Sequence, residues 1–215
     1  VNFPSIESVA FDTTQMTPLP DENTPDKHAW LTPERDLVLL NLFCKAPDVP
    51  ARLDQIDALR AAYRKIANAQ GCALIEAEVV DAGSCRAIWL IVRSYRKPHG
   101  SIYVASLTLP FHDFSFVLKA QCEERGMTGI REAMVLPEVL NAAPDDSFVV
   151  GAPPQGWLVD LYDSNLRTQP LRNVSEDEKY DAKFPDHPLS RVRRLIRHLD
   201  SSLVVSPEVK AAMPF

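Results

Sequence analysis

Along residues 36–122 the apolar positions change rhythm twice: a solid run, then every third or fourth residue, then every second residue. DLVLLNLFCK (residues 36–45) is apolar on both faces, the pattern of a strand covered on both sides. Leu53, Ile56, Leu59, Tyr63 and Ile66 follow at helical spacing, with Asp48 placed to cap that helix and Gly71 to stop it. Arg52, Asp54, Arg60, Arg64 and Lys65 make its solvated side. CALIEAEVV (72–80), RAIWLIVRSYR (86–96) and SIYVASLTL (101–109) read as strands joined by turns at 81–84, 97–100 and 110–111. Connections this short require antiparallel neighbours, because a parallel crossover takes a dozen residues or more.

The stretch FHDFSFVLKAQCEERGMTGIREAM (111–134) supplies a fourth strand of this meander. His112, Phe114, Phe116, Leu118, Ala120 and Cys122 fall on one face, and Asp113, Ser115, Val117, Lys119, Gln121 and Glu123 on the other. Gly126 and Gly129 mark a turn, and Thr128 is placed to cap a helix that carries Ile130, Ala133 and Met134 towards Pro137.

The flanks have a different texture. Residues 13–34 hold four prolines and little periodicity, so residues 1–34 are expected to form an extended arm anchored by Trp30 and Leu31. Residues 143–157 are rich in Pro and Gly and read as a loop; residues 174–186 are acidic and read as irregular. PLSRVRRLIRHL (188–199) is a second strong helix. Leu189, Val192, Leu195, Ile196 and Leu199 form its apolar stripe, and Arg191, Arg193, Arg194, Arg197 and His198 are expected to face away. The fold class expected is therefore α+β. An antiparallel meander covered by helices makes the core domain (35–143), and a loop-rich extension (144–215) packs on it.

From residue 36 to 141 the element order is strand, helix, four-strand meander, helix. Carried by DLVLLNLF, the helix over 52–70, the strands over 72–122 and GIREAM, this order resembles the Mog1/PsbP-like sandwich. That resemblance implies helices over an antiparallel sheet and a binding rather than catalytic role. Known members include a nuclear transport factor, photosystem accessory proteins, and bacterial chaperones or adaptors for secreted effectors. It carries no functional residue over to this chain.

Composition narrows the function classes. Against 23 Lys and Arg stand 29 Asp and Glu, a net charge of −6, which argues against nucleic-acid backbones as partners. With no apolar run of bilayer length and no leader-like start, a cytoplasmic protein without integral membrane association is expected. Cys44, Cys72, Cys85 and Cys122 show no CxxC and no paired Cys/His spacing, so neither a metal nor another cofactor is expected. Cys72 and Cys122 share one end of the meander three strands apart, about 14 Å at about 4.8 Å per strand, too far for a disulfide. Cys85 lies at the other end, and His99 or His187 would need an unforeseen loop to reach any of these thiols.

Two clusters remain. His112, Glu123, Glu124 and Arg131 surround the last strand and its glycine turn; they are the candidate catalytic set of a small hydrolase or transferase. Neighbours on a strand point to opposite faces, so His112 and Asp113 are not expected to pair. Arg131 is expected to pair with Glu123 or Glu124, which makes the cluster, with Glu132 beside it, a structural charge network. Arg191, Arg194 and Arg197 are the candidate contacts for an acidic protein partner. The expectation for the whole chain is a non-enzymatic interaction module: an adaptor, chaperone or immunity-like protein.

Overall fold

A computed structural model describes residues 3–96, 100–142, 153–166 and 169–215. Its strands are β1 (Val9–Ala10), β2 (Thr17–Pro18), β3 (Lys27–Leu31), β4 (Leu37–Phe43), β5 (Ala73–Ala82), β6 (Cys85–Arg96), β7 (Gly100–Pro110), β8 (Ser115–Glu123), β9 (Leu158–Val159), β10 (Arg172–Asn173) and β11 (Val204–Val205). Its helices are α1 (Ile56–Ala69), α2 (Ile130–Ala142), α3 (Pro188–Ser201) and α4 (Pro207–Lys210). The turn residues 97–99 and most of the loop read at 143–157 lie outside the described residues, and so does His99.

The main sheet has seven strands in the order β2-β3-β4-β8-β7-β6-β5, all antiparallel. The expected meander is its β5–β8 half. On the other side of β8, β4 pairs with it directly, and the stretch read as an extended arm contributes β2 and β3 beyond β4. The α+β class, an antiparallel sheet covered by helices, is thus the observed architecture. No helix among the described residues is long and apolar enough to cross a membrane.

Alternation decides what is buried. Val38, Leu40 and Leu42 of β4, Trp89 and Ile91 of β6, Leu107 and Leu109 of β7, and Phe116, Leu118 and Ala120 of β8 share one continuous apolar core. Leu189, Val192, Ile196 and Leu199 of α3 close it from above, and Ile6, Val9, Leu203, Val205 and Val209 extend it under the β1–β11 pair. The C-terminal segment is therefore part of the core's roof. The opposite face of β4 is less covered than its apolar run suggests: Leu37, Leu39 and Asn41 are half-buried, and Phe43 is exposed.

The helix α1 lies along β5, an edge strand. It starts at Ile56, beyond the reach of Asp48, and Gln55 is its N-cap residue. Its end is as read: Gly71 takes φ +70°, its amide reaches the Asn68 carbonyl, and the Cys72 amide reaches that of Ala67. The side expected to be solvated is partly occupied. Arg60 bonds the Ala77 carbonyl and Glu78, and Arg64 forms a two-pronged bond to the buried Asp160 at 2.6 and 2.7 Å. With the Tyr162 hydroxyl accepting the Ala77 amide, these groups cover an open sheet edge. The helix α2 continues through Pro137 to Ala142; the Ala133 carbonyl, which loses its helical donor there, is on an exposed residue.

Candidate functional site

The four residues of the candidate catalytic set do not meet. His112 and Asp113 lie in the turn between β7 and β8, which begins only at Ser115, while Glu123 ends that strand. At about 3.4 Å per residue the two ends of β8 are about 27 Å apart. Because His112 and Asp113 sit outside the strand, the alternation argument does not apply to them, and they do pair: Nδ1 to Oδ1 is 2.7 Å. Both side chains are exposed, and this pair faces water at the far end of the sheet.

At the near end the remaining three residues hold the fold. Glu123 accepts from the Gln121 amide through its side chain and from Arg191 through its backbone carbonyl. Glu124 clamps the turn, one oxygen accepting the Ser101 amide at 2.6 Å and the other the Gly129 amide at 2.8 Å. Gly100 lies so close beneath this carboxylate, at φ +83°, that an added Cβ would collide with it. Arg131 pairs with neither glutamate. Its fully buried guanidinium crosses to the segment after β10, bonding the Ser175 and Asp177 carbonyls, the Ser190 hydroxyl and Asp181.

That segment, read as acidic and irregular, is instead two short 3-10 turns (Val174–Glu176 and Glu178–Tyr180) sealed by a capping box from Asn173. Glu176 is fully buried. Its Oε1 receives the Tyr103 hydroxyl at 2.7 Å and Arg93 at 2.9 Å, and its Oε2 the Asn173 amide at 2.7 Å. From α3, Arg193 reaches Glu76, Asp181 and the Glu176 carbonyl, and Arg172 pairs with Asp177. Glu76, Glu176, Asp177 and Asp181 thereby balance Arg93, Arg131, Arg172 and Arg193 between sheet and roof.

Arg191 requires the same correction. Expected to face outward, it is buried, forked onto Asp36 at 2.8 and 3.1 Å. Arg193 is buried as well, whereas Arg194 and Arg197 are exposed as read. Arg194 makes one long bond, 3.3 Å, to the Pro185 carbonyl, and Arg197 pairs with the exposed Glu178.

Two residues that the sequence offers separately, His187 as a distant histidine and Glu132 as a member of the charge cluster at the glycine turn, complete the near end. His187 precedes α3 and accepts the Leu189 amide at Nδ1. Glu132 lies on α2 beside Arg131. The donor atoms of Glu124, Glu132 and His187 lie within 4.8 Å of one another. Burial, then Arg131, Arg191, Arg193 and Arg93, hold the His187 imidazole down to about 3, so it is neutral at physiological pH. Burial, with help from Glu124 and Glu176, raises Glu132. A cleft of about 270 Å³ opens beside them, lined by Glu124, Arg125, Met127, Ile130, Arg131 and residues 183–188. Neither His112 nor Glu123 lines it.

The thiols follow burial. Cys122 is fully enclosed, and burial pushes its thiol far up, while Cys44 is exposed. An aromatic disulfide reagent is expected to modify Cys44 first and Cys122 only after denaturation. Equal native rates at the two thiols would show that the end of β8 opens.

No protein-family model and no curated protein matches this chain. Among solved structures, a protein of Bacteroides thetaiotaomicron VPI-5482 is similar at 8% identity and a TM-score of 0.37. The likeness covers 59% of this chain and 42% of that one, so it spans less than half of that protein's length.

Proposed function

We propose that this chain is a non-enzymatic protein-binding module, an adaptor, chaperone or immunity-like protein, whose partner docks at the turn before α2. The observation that carries this reading is an exposed apolar strip. Met127, Ile130 and Met134 are 77%, 44% and 54% exposed, and Ile130 and Met134 stand one helical turn apart on α2. Phe184 and Pro185 continue the strip across the 270 Å³ cleft. Contiguous exposed apolar surface of this kind marks interaction sites, and methionine adapts its shape to what binds it.

Cations rim the strip. Lys183 lines the cleft, and Arg194 reaches the carbonyl of Pro185 from the far side of the same loop. An amphipathic segment with acidic residues beside apolar anchors fits this surface. Of the three arginines read as partner contacts, Arg194 and Arg197 keep that role and Arg191 leaves it. The resemblance to Mog1/PsbP-like sandwiches, whose members mostly bind other proteins, points the same way.

Affinity capture from the native cells tests the reading. One protein is expected to co-purify with the wild type, to be lost with Met127→Asp/Met134→Asp, and to be retained less at low salt with Arg194→Gln/Arg197→Gln. Raising the salt should erase the second difference but not the first, since screening weakens ion pairs and leaves apolar contact intact. A partner retained by both variants would place the contact elsewhere. No partner, together with small-molecule turnover lost in Glu124→Gln, would favour a hydrolase or transferase.

A further inference from the structure

We propose that Glu124, Glu132 and His187 form a binding site for one first-row divalent transition-metal ion, with zinc and manganese as its simplest occupants. Three elements converge to build it: the turn after β8, the first turn of α2, and the residue that caps α3. Their donor atoms lie within 4.8 Å of one another. Around a tetrahedral ion at about 2.1 Å the donors stand about 3.4 Å apart, so side-chain movement of about an ångström closes the set.

Two observations mark the spot as made for a ligand. Oε2 of Glu132 and Nε2 of His187 are sealed from solvent and have no hydrogen-bond partner among the described residues. Buried polar atoms are almost always satisfied, so two orphans on two of three residues whose donor atoms cluster this closely call for an occupant. The charge balance says which kind. The buried network beside the site matches Arg93, Arg131, Arg172 and Arg193 with their own carboxylates. Glu124 and Glu132 are in no ion pair among the described residues, and a carboxylate oxygen of each lies within 4.8 Å of the other, where two negative charges repel. A cation removes that repulsion; a neutral guest does not.

The donor set selects among cations. Two carboxylates and one imidazole suit zinc, manganese or ferrous iron, whereas calcium and magnesium favour oxygen alone. Glu124 is already oriented for the task, since the Ser101 and Gly129 amides each hold one oxygen and leave it a further lone pair. The cleft beside Met127 and Phe184 supplies the entry path, because Glu124 and His187 both line it. Two features oppose binding. The first is the charge of Arg131, Arg191, Arg193 and Arg93, which bears on His187 and which the two carboxylates must outweigh. The second is a contact. His187 Nδ1 accepts the Leu189 amide at 3.2 Å, which places the ring proton on Nε2 in the metal-free chain. Coordination at Nε2 displaces that proton to solvent and puts one on Nδ1, releasing the Leu189 amide. His187 then yields no net proton, and its tautomer changes.

The experiment uses the full chain stripped with a chelator and then titrated with Zn²⁺ alone. One equivalent is expected to bind and to raise the melting temperature. Glu132→Gln and His187→Asn are each expected to weaken binding by about tenfold or more; the surface variant Glu178→Gln should bind as wild type. Asparagine is chosen at 187 because it is itself a good N-cap, which keeps α3 started. A second readout needs no variant: Mn²⁺ should broaden the His187 ring signals before those of the other four histidines. Failure to take up Zn²⁺, full affinity in both variants, or broadening centred on another histidine would overturn the site. Partner capture by the apolar strip is read separately, so either proposal stands or falls alone.

Discussion

Glu176→Ala is expected to destabilise the chain by about 3–5 kcal/mol, the range for leaving one side of a buried charge pair uncompensated. Such a loss is a large part of the 5–15 kcal/mol that typically holds a domain folded. Glu176 has no exposed surface, and three donors converge on its carboxylate: the Tyr103 hydroxyl, the Arg93 guanidinium and the Asn173 amide. Removing it strands Arg93 and Tyr103 beneath the roof and breaks the capping box that shapes residues 173–176. Glu176→Gln keeps the size of the side chain and one acceptor oxygen, so it should fall between wild type and alanine. The shift in the urea midpoint at constant slope measures the effect. An alanine variant within 1 kcal/mol of wild type would mean that water replaces the carboxylate, and that the network does not fix the roof to the sheet.

What could be read in the sequence tracks the range of the interaction. Strands β5 to β8 were legible because each half-buried strand writes its own period of two, as Phe116, Leu118 and Ala120 do. The sheet continuation through β2 and β3 was not legible. Four prolines hide the alternation, and the partner that makes β3 a strand is β4, known only once the chain is folded. The near-end site was obscured for a related reason. Glu132 and His187 are 55 positions apart in sequence, and no spacing rule joins an α2 carboxylate to the cap of α3. The acidic run at 174–186 reads as irregular because its partners Arg93, Arg131 and Arg193 come from three other elements.

The sequence of α3 itself separates its arginines. At 100° per residue, Arg193 stands about 40° from Leu189 and Arg191 about 40° from Leu195, so both flank the apolar stripe of α3, while Arg194 lies nearly opposite its centre. Flanking arginines bury their stems and turn their heads towards whatever carboxylate the neighbouring elements offer. For Arg193 these are Glu76 and Asp181; for Arg191 it is Asp36. Counting all the basic residues of α3 as one outward face merged two populations with opposite roles.

Those populations should separate in a stability measurement. Arg191→Met is expected to cost about 3 kcal/mol, the lower end of the buried-pair range, because Arg125 still reaches Asp36 from the surface. The loss has several parts. Arg191 forks onto Asp36, which is itself buried, and bonds the carbonyls of Glu123 and Asp186. It thereby ties α3 to the start of β4 and the end of β8, elements 155 positions apart in sequence at the Asp36 contact. Arg194→Gln/Arg197→Gln should change stability by no more than about 0.5 kcal/mol, as exposed substitutions usually do. Replacing all three by glutamine is therefore expected to destabilise the fold, and Arg191 would account for the damage. A double-mutant cycle between Arg191→Met and Asp36→Asn isolates the pair. The two losses should fall short of adding by about 1–3 kcal/mol, since either change already breaks the same fork. Simple additivity, or an Arg191→Met variant as stable as wild type, would show that Arg125 and water hold Asp36 without help from α3.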